Sequence, residues 1–151
     1  MRDLALSGDR TPGFVDDDAR ILIDDRVDAF VADGAPASLE LAGPRRRLFF
    51  DPPTATAGIV TCGGLCPGIN DVIRGLVMQC WYRYGVRRLL GFQFGYRGLV
   101  AEHGLEPMEL DPELVSEIHE RGGTILRSSR GPQDPAKIVD RLVELGVDML
   151  F

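Results

Sequence analysis

Regular alternation of apolar and polar segments begins near residue 57 and runs to the end of the chain. Residues 57–62 form a short apolar run bounded by glycines, which predicts a buried strand. After a turn over 63–68, apolar residues recur every three or four positions from Ile69 to Tyr84. That spacing predicts an amphipathic helix, and Gly85 predicts its end. Residues 86–92 predict a second strand.

The second half of the chain repeats this alternation. Asp111 and Pro112 predict the start of a helix that Gly122 ends, followed by a brief extended piece at 124–126. Asp134 and Pro135 predict another helix, which ends at Gly146, and residues 147–151 predict a third strand. Strands alternating with helices indicate an α/β fold, an open, mostly parallel, Rossmann-like sheet with helices on both faces.

Residues 1–56 lack this regularity and are interpreted as an N-terminal extension. Residues 1–18 are polar and predict a mobile arm, 19–32 predict a strand or a short helix, and 33–57 predict an irregular connection. Residues 57–151 are interpreted as the α/β domain. Its last predicted strand is apolar and is followed by no cap or polar tail, so we expect a sheet that is incomplete at its C-terminus and a chain that is the front part of a longer one.

Composition excludes several classes of protein. The chain has 151 residues, of which 44% are hydrophobic and 26% charged, as in ordinary globular proteins. The net charge is −6, and the chain lacks the basic surface that binds nucleic acid, so we expect no nucleic-acid partner. There is neither an apolar run of membrane-spanning length nor a signal peptide, so we expect a cytoplasmic protein without a membrane partner. Three cysteines are interpreted as small apolar side chains in a reducing compartment, with a redox pair of Cys62 and Cys66 as the alternative.

The turn between the first predicted strand and helix carries the candidate chemistry. A dinucleotide fingerprint needs glycine at position 65, where leucine stands, and a Walker loop needs Lys-Ser/Thr where Ile69 and Asn70 stand. Gly63 and Gly64 nevertheless allow a phosphate to approach backbone N–H groups, and the helix directs its positive end to the same place. A turn that serves packing alone is the alternative.

Four ordered blocks of the sequence resemble the 6-phosphofructokinase family. Residues 58–77, GIVTCGGLCPGINDVIRGLV, are similar to the opening segment of these enzymes, in the form found in the plant-type and trypanosomal ATP-dependent branch. Residues 91–99, 122–134 and 42–52 are similar to further segments of the same family. The resemblance covers residues 42–151 and implies that 57–151 are the first part of the nucleotide-binding domain.

This resemblance implies a glycolytic phosphotransferase that uses ATP and Mg²⁺ to phosphorylate fructose 6-phosphate, as a homo-oligomer. It places the donor phosphates at Gly63 and Gly64, the nucleotide beside Tyr96 and Gly131, and the charge of the transferring phosphate on Arg130. The metal loop and general base of the family follow the segment that this chain matches. The resemblance therefore gives this chain no catalytic or metal residue, and we expect the chain alone to be inactive.

Several alternatives stay open. Arg127 stands where the family usually has glycine, so its side chain could either crowd the donor pocket or add a phosphate contact. Pyrophosphate is the less favoured donor. A non-catalytic or regulatory remnant and an NADP-binding module are the other functions that the sequence allows.

Overall fold

The computed structural model describes residues 2–3, 14–24 and 37–151 and divides the chain into two compact units, 1–49 and 50–151. In the first unit, strand β1 (Arg2–Asp3) pairs antiparallel with β4 (Arg47–Leu48), and β2 (Arg20–Leu22) pairs antiparallel with β3 (Ser38–Glu40). The strand alternative for 19–32 is thus confirmed at β2. Most of the predicted arm, and residues 25–36, lie outside the described residues.

The second unit contains a four-stranded sheet in the order β7-β6-β5-β8. Strand β5 pairs in parallel with both β6 and β8, whereas β7 pairs antiparallel with β6. An open, mostly parallel sheet is therefore confirmed. The strands are β5 (Thr56–Val60), β6 (Arg88–Phe92), β7 (Met108–Glu109) and β8 (Met149–Leu150).

Helix α1 (Ile69–Met78) covers one face of this sheet. Its residues Ile73 and Val77 are buried in one core with Ala57 and Leu89 of the strands. The helix continues as wider π-helical turns over Gln79–Tyr84 and ends at Gly85, whose φ of 80° is available to glycine at little cost. The predicted helix and its stop are both confirmed.

Helix α2 (Pro135–Glu144) covers the opposite face. Its residues Ile138 and Leu142 pack on a second core that contains Leu90 and Phe92. The Asp134 carboxylate accepts a hydrogen bond of 3.0 Å from the Ala136 N–H, which caps the helix as the sequence predicts. Adjacent residues of β6 thus face opposite cores, and helices lie on both faces of the sheet. None of the helices in the described residues is both long enough and apolar enough to cross a membrane.

The predicted helix after Asp111 is wrong. Asp111 caps a turn by accepting a hydrogen bond of 2.8 Å from the Leu114 N–H, but residues 112–117 form turns, and only a short 3₁₀ helix, Ile118–Glu120, follows. Its buried apolar face consists of Val115 and Ile118, which is too little to stabilise a longer helix.

The limits of three extended segments also differ from the prediction. Residues 124–126 form a turn, closed by a hydrogen bond from the Arg127 N–H to the Thr124 carbonyl, so the extended piece predicted there is wrong. Strand β6 begins at Arg88 and not at residue 86. The last strand is assigned to Met149–Leu150, although backbone hydrogen bonds to β5 extend from Asp148 to Phe151.

Candidate functional site

The order of the strands creates a crevice at the carboxyl edge of the sheet. From β5 the chain passes through α1 to β6 on one side, and it returns through α2 to β8 on the other side of β5. Ligands of open α/β sheets bind where the strand order reverses in this way. The loop 61–68, which joins β5 to α1, leaves the sheet at this edge.

A cleft of about 530 Å³ lies against this loop. One wall is formed by residues 63–65 and the other by 122–124 and 127–130. Gly63 has a φ of 89°, a left-handed conformation that favours glycine. A Cβ atom on Gly64 would lie 3.7 Å from Nη2 of Arg130, so the Arg130 guanidinium faces the double glycine across the cleft.

Hydrogen bonds join the two walls. The Ser128 hydroxyl donates to the Gly63 carbonyl at 2.7 Å, and the Thr61 hydroxyl donates to the Arg127 carbonyl at 2.7 Å. The hydroxyl oxygens of Thr61 and Thr124 lie 3.2 Å apart. These contacts fix the spacing of the walls before any ligand arrives, which lowers the entropic cost of binding.

Asn70 holds the base of the second wall and was not identified from the sequence as a site residue. Its side chain is 3% exposed, and it donates to the Arg121 carbonyl and accepts from the Ile125 N–H, both at 2.9 Å. The signal was available, because Asn70 lies on the same helical face as the buried residues Ile73 and Val77. A polar residue on an apolar stripe requires buried partners.

Two of the residues that the resemblance singles out lie outside the walls of the cleft. Tyr96 belongs to a 3₁₀ turn, Gly95–Leu99, and its side chain is 47% exposed. Its backbone N–H donates to the thiol of Cys62, which lies in the loop 61–68 after β5. Gly131 follows Arg130 with a φ of 108°. The structure therefore brings Gly63, Gly64 and Arg130 together and leaves Tyr96 and Gly131 next to them.

The cysteines have different environments. Cys80 is buried in the core, as predicted, whereas Cys62 and Cys66 are exposed, so their interpretation as apolar filling is wrong. Although Cys62 is exposed as a residue, the protein around its thiol excludes part of the solvent, and this desolvation raises the pKa of the thiol, while the hydrogen bond from Tyr96 opposes the effect. A raised pKa leaves less of the reactive thiolate at neutral pH.

Arg127 has a strained backbone at the rim of the cleft. The backbone φ is 59° at Arg127 and also 59° at Phe94. The guanidinium carbon of Arg127 lies 4.8 Å from the centroid of the Phe94 ring. A left-handed conformation costs a residue with a Cβ about 1–2 kcal/mol. An exposed cation–π contact contributes about 0.5–1 kcal/mol, so the stacking offsets only part of this cost.

The electrostatics of the cleft favour an anion. Its walls carry two arginines, two serines and a threonine, and no carboxylate is among the lining residues, all of which are described. Backbone N–H groups at glycines, hydroxyls and guanidinium groups are the usual ligands of phosphate. Mg²⁺ prefers carboxylate oxygens, so the residues of these walls do not fit a magnesium site.

Comparisons with known proteins give matches over most of the chain. The family model described as phosphofructokinase matches residues 56–151. The chain is 50% identical over 151 positions to the ATP-dependent 6-phosphofructokinase of Amycolatopsis methanolica, an alignment that covers 97% of this chain and 33% of the relative. It is 53% identical over 117 positions to the enzyme of the same name from Trypanosoma cruzi, with coverages of 78% and 24%.

A solved structure supports the fold. The crystal structure of Pichia pastoris phosphofructokinase in the T-state matches with a TM-score of 0.57 and 24% identity, over 72% of this chain and 11% of that chain. The chain spans about a third or less of the length of the curated relatives named above.

Proposed function

The chain belongs to the phosphofructokinase family, and on this premise we propose that its cleft binds the phosphates of ATP in an enzyme that phosphorylates fructose 6-phosphate. The names of the relatives support ATP as the donor. The observation that carries the proposal is the position of Arg130 Nη2 opposite Gly64. Because Gly64 has no side chain, a phosphate can approach its backbone N–H closely and contact the neighbouring Arg130 guanidinium as well.

The proposed roles follow from the chemistry of each group. The backbone N–H groups at Gly63 and Gly64 bind phosphate oxygens, and Arg130 stabilises the negative charge that accumulates during transfer. Tyr96 and Gly131, which flank the cleft, contact the rest of the nucleotide. Phosphoryl transfer depends mainly on positioning and on charge stabilisation, and both are functions that this cleft can perform.

The contribution of these residues is to hold the donor. Since no carboxylate lines the cleft, its residues offer neither a ligand for Mg²⁺ nor a general base for the sugar hydroxyl. The proposal therefore gives the cleft the binding and orientation of the donor phosphates. Fructose 6-phosphate and Mg²⁺ belong to the activity of the family and not to a site within these walls.

An NADP-binding module has less support than a phosphate-donor site. Arg87 and Arg88 could read a 2′-phosphate only if they reached the crevice. Arg88 opens β6 at the amino edge of the sheet, and it donates to the Thr56 hydroxyl at 3.1 Å and to the Leu145 carbonyl at 2.7 Å. Arg87 stacks on Trp81. Both residues thus lie at the edge opposite to the cleft.

Homo-oligomeric assembly and a cytoplasmic location are part of the proposal. Val139 and Val143, one turn apart on α2, are 56% and 74% exposed. Apolar surface of this kind favours self-association. Light scattering after size-exclusion chromatography would measure the assembly, and imaging of a fluorescent fusion would establish the location.

Calorimetric titration of the 151-residue chain tests the donor site. We expect ATP to bind, Arg130→Ala to weaken binding about tenfold through loss of a charge-assisted contact, and Arg87→Ala to leave it unchanged. Arg87→Ala is the control, because it removes the same charge at a position outside the cleft. Tighter binding of pyrophosphate than of ATP would identify pyrophosphate as the donor. Tighter binding of NADPH than of ATP would favour the dinucleotide module. Absence of binding for all three ligands would contradict the proposal.

A further inference from the structure

Arg127 and Arg130 line the same cleft, and the proposed function uses only Arg130. No carboxylate in the described part of the chain forms an ion pair with either guanidinium. The cleft therefore holds two cations whose charge the neighbouring side chains leave uncompensated. A single phosphate group with one guanidinium partner would not require the second cation.

The stacking of Arg127 on Phe94 leaves its hydrogen-bonding groups available. A guanidinium that lies over a ring uses its flat face, whereas its N–H donors point outward in the plane of the group. The distance of 4.8 Å from the guanidinium carbon to the ring centroid is within the range of such contacts. Arg127 can therefore keep its position on Phe94 and still donate two hydrogen bonds to an anion.

The Phe94 platform is itself fixed to the second wall. The Phe94 N–H donates to the Leu126 carbonyl at 2.8 Å, and the Ser129 hydroxyl donates to the Phe94 carbonyl at 2.5 Å. Thr61 fixes the Arg127 carbonyl from the opposite wall. A long arginine side chain is thus held at the rim with less freedom than an ordinary surface arginine, which lowers the entropic cost of contacting a ligand.

We propose that Arg127 is a second phosphate-binding residue that makes the cleft select ligands with two or more linked phosphates over those with one. The inference rests on the proposed donor site and extends it to specificity. Two separate guanidinium groups bind best to two phosphate groups at once, and each group matches phosphate in a bidentate manner. ATP and pyrophosphate satisfy both cations, whereas AMP satisfies one.

Replacement of Arg127 by the residue usual in the family provides the test. Calorimetric titration compares the wild-type chain with Arg127→Gly and Arg127→Lys, using ATP, pyrophosphate and AMP as ligands. We expect Arg127→Gly to weaken the binding of ATP and pyrophosphate about fivefold, which is the size of one partly exposed charged contact. The affinity for AMP should stay within about twofold of the wild-type value. Arg127→Lys keeps the charge without the planar fork and should show an intermediate loss.

Two further variants isolate the cause. Arg87→Ala removes a guanidinium stacked on Trp81 at 4.7 Å, the same type of contact at another place, and should leave all three affinities unchanged. Phe94→Leu removes the platform and should weaken ATP less than Arg127→Gly does. Urea unfolding of each variant establishes that the differences arise in folded protein.

The outcomes separate this inference from the proposed function. The inference is overturned if Arg127→Gly weakens the binding of ATP and AMP equally, or weakens neither. It is also overturned if Arg127→Gly binds ATP more tightly because crowding is relieved. If Arg130→Ala still weakens ATP in those cases, the donor site stands without it. If the wild-type chain binds neither ATP nor pyrophosphate, both the donor site and the inference fail.

Discussion

At the scale of single residues, hydrogen bonds from a few polar side chains hold the walls of the cleft together. Asn70 is enclosed on the apolar face of α1, yet its amide satisfies one carbonyl and one N–H of the second wall. Ser128 ties that wall to Gly63. Loss of the two partly buried hydrogen bonds of Asn70 would leave a carbonyl and an N–H of the second wall without partners.

We expect Asn70→Ala to lower the free energy of unfolding by about 2–3 kcal/mol, because the Arg121 carbonyl and the Ile125 N–H both lose their partner. Val72→Ala, at a position of the same helix that is 63% exposed, should cost less than about 0.5 kcal/mol. Urea denaturation followed by circular dichroism measures both variants. Equal stability of the two would contradict a structural role for the amide.

The Cys62 thiol provides a test of pH dependence. Because burial raises its pKa in the folded chain, the thiol form is favoured by folding, and this contribution to stability is lost as the pH rises through the raised pKa. Since thiolate is the nucleophile, we expect iodoacetamide to modify Cys62 more slowly in the folded chain than in the urea-unfolded chain. The difference should narrow above about pH 9. Peptide mass spectrometry gives the rates, and equal rates at pH 7.5 would contradict the raised pKa.

At the scale of elements, two helices and one tight turn place the site. Helix α1 begins at Ile69, at the end of the loop that contains the double glycine, and α2 covers the other face of the sheet. The 3₁₀ turn Gly95–Leu99 brings Tyr96 to the Cys62 thiol. This turn depends on Gly98, because a Cβ atom there would lie 2.2 Å from the Gln93 carbonyl oxygen, a backbone atom that cannot move aside.

We expect Gly98→Ala to lower the free energy of unfolding by about 3 kcal/mol or more, as overpacking against a backbone does. Gly75→Ala is the matched control, since a Cβ at that position of α1 would contact nothing within 4 Å. It should stabilise the chain by about 0.5–1 kcal/mol through helix propensity. Chemical denaturation measures both changes, and a Gly98→Ala variant as stable as the wild type would exclude the close approach.

At the scale of the whole molecule, the carboxyl edge of the sheet carries a cleft whose lining residues include no carboxylate. The cleft walls carry cations and hydroxyls, whereas described carboxylates form ion pairs elsewhere, such as Glu102 with Lys137 and Glu106 with Arg141. Under the function proposed above, the cleft binds the donor phosphates, and its lining offers no carboxylate that could activate an acceptor.

We expect the 151-residue chain alone to form no fructose 1,6-bisphosphate above the background rate, because a general base alone contributes about 10²–10⁴-fold. A coupled assay with ATP, Mg²⁺ and fructose 6-phosphate measures the product, with Arg130→Ala as the control for contaminating enzyme. The expectation would be contradicted if the wild-type chain formed product and the Arg130→Ala variant did not.

The sequence by itself determined the α/β class, the parallel strands, both long helices and the glycine turn, because periodicity and glycine positions report burial and backbone conformation locally. Only the tertiary structure decided that residues after Asp111 form turns, since that segment contributes too few buried residues to complete a helix. It also decided the cleft, whose defining hydrogen bonds join residues 51–66 positions apart. No local pattern in the sequence encodes such distant pairs. The contact between Arg127 and the Phe94 ring likewise forms only when the loop that carries Arg127 packs against the loop that carries Phe94.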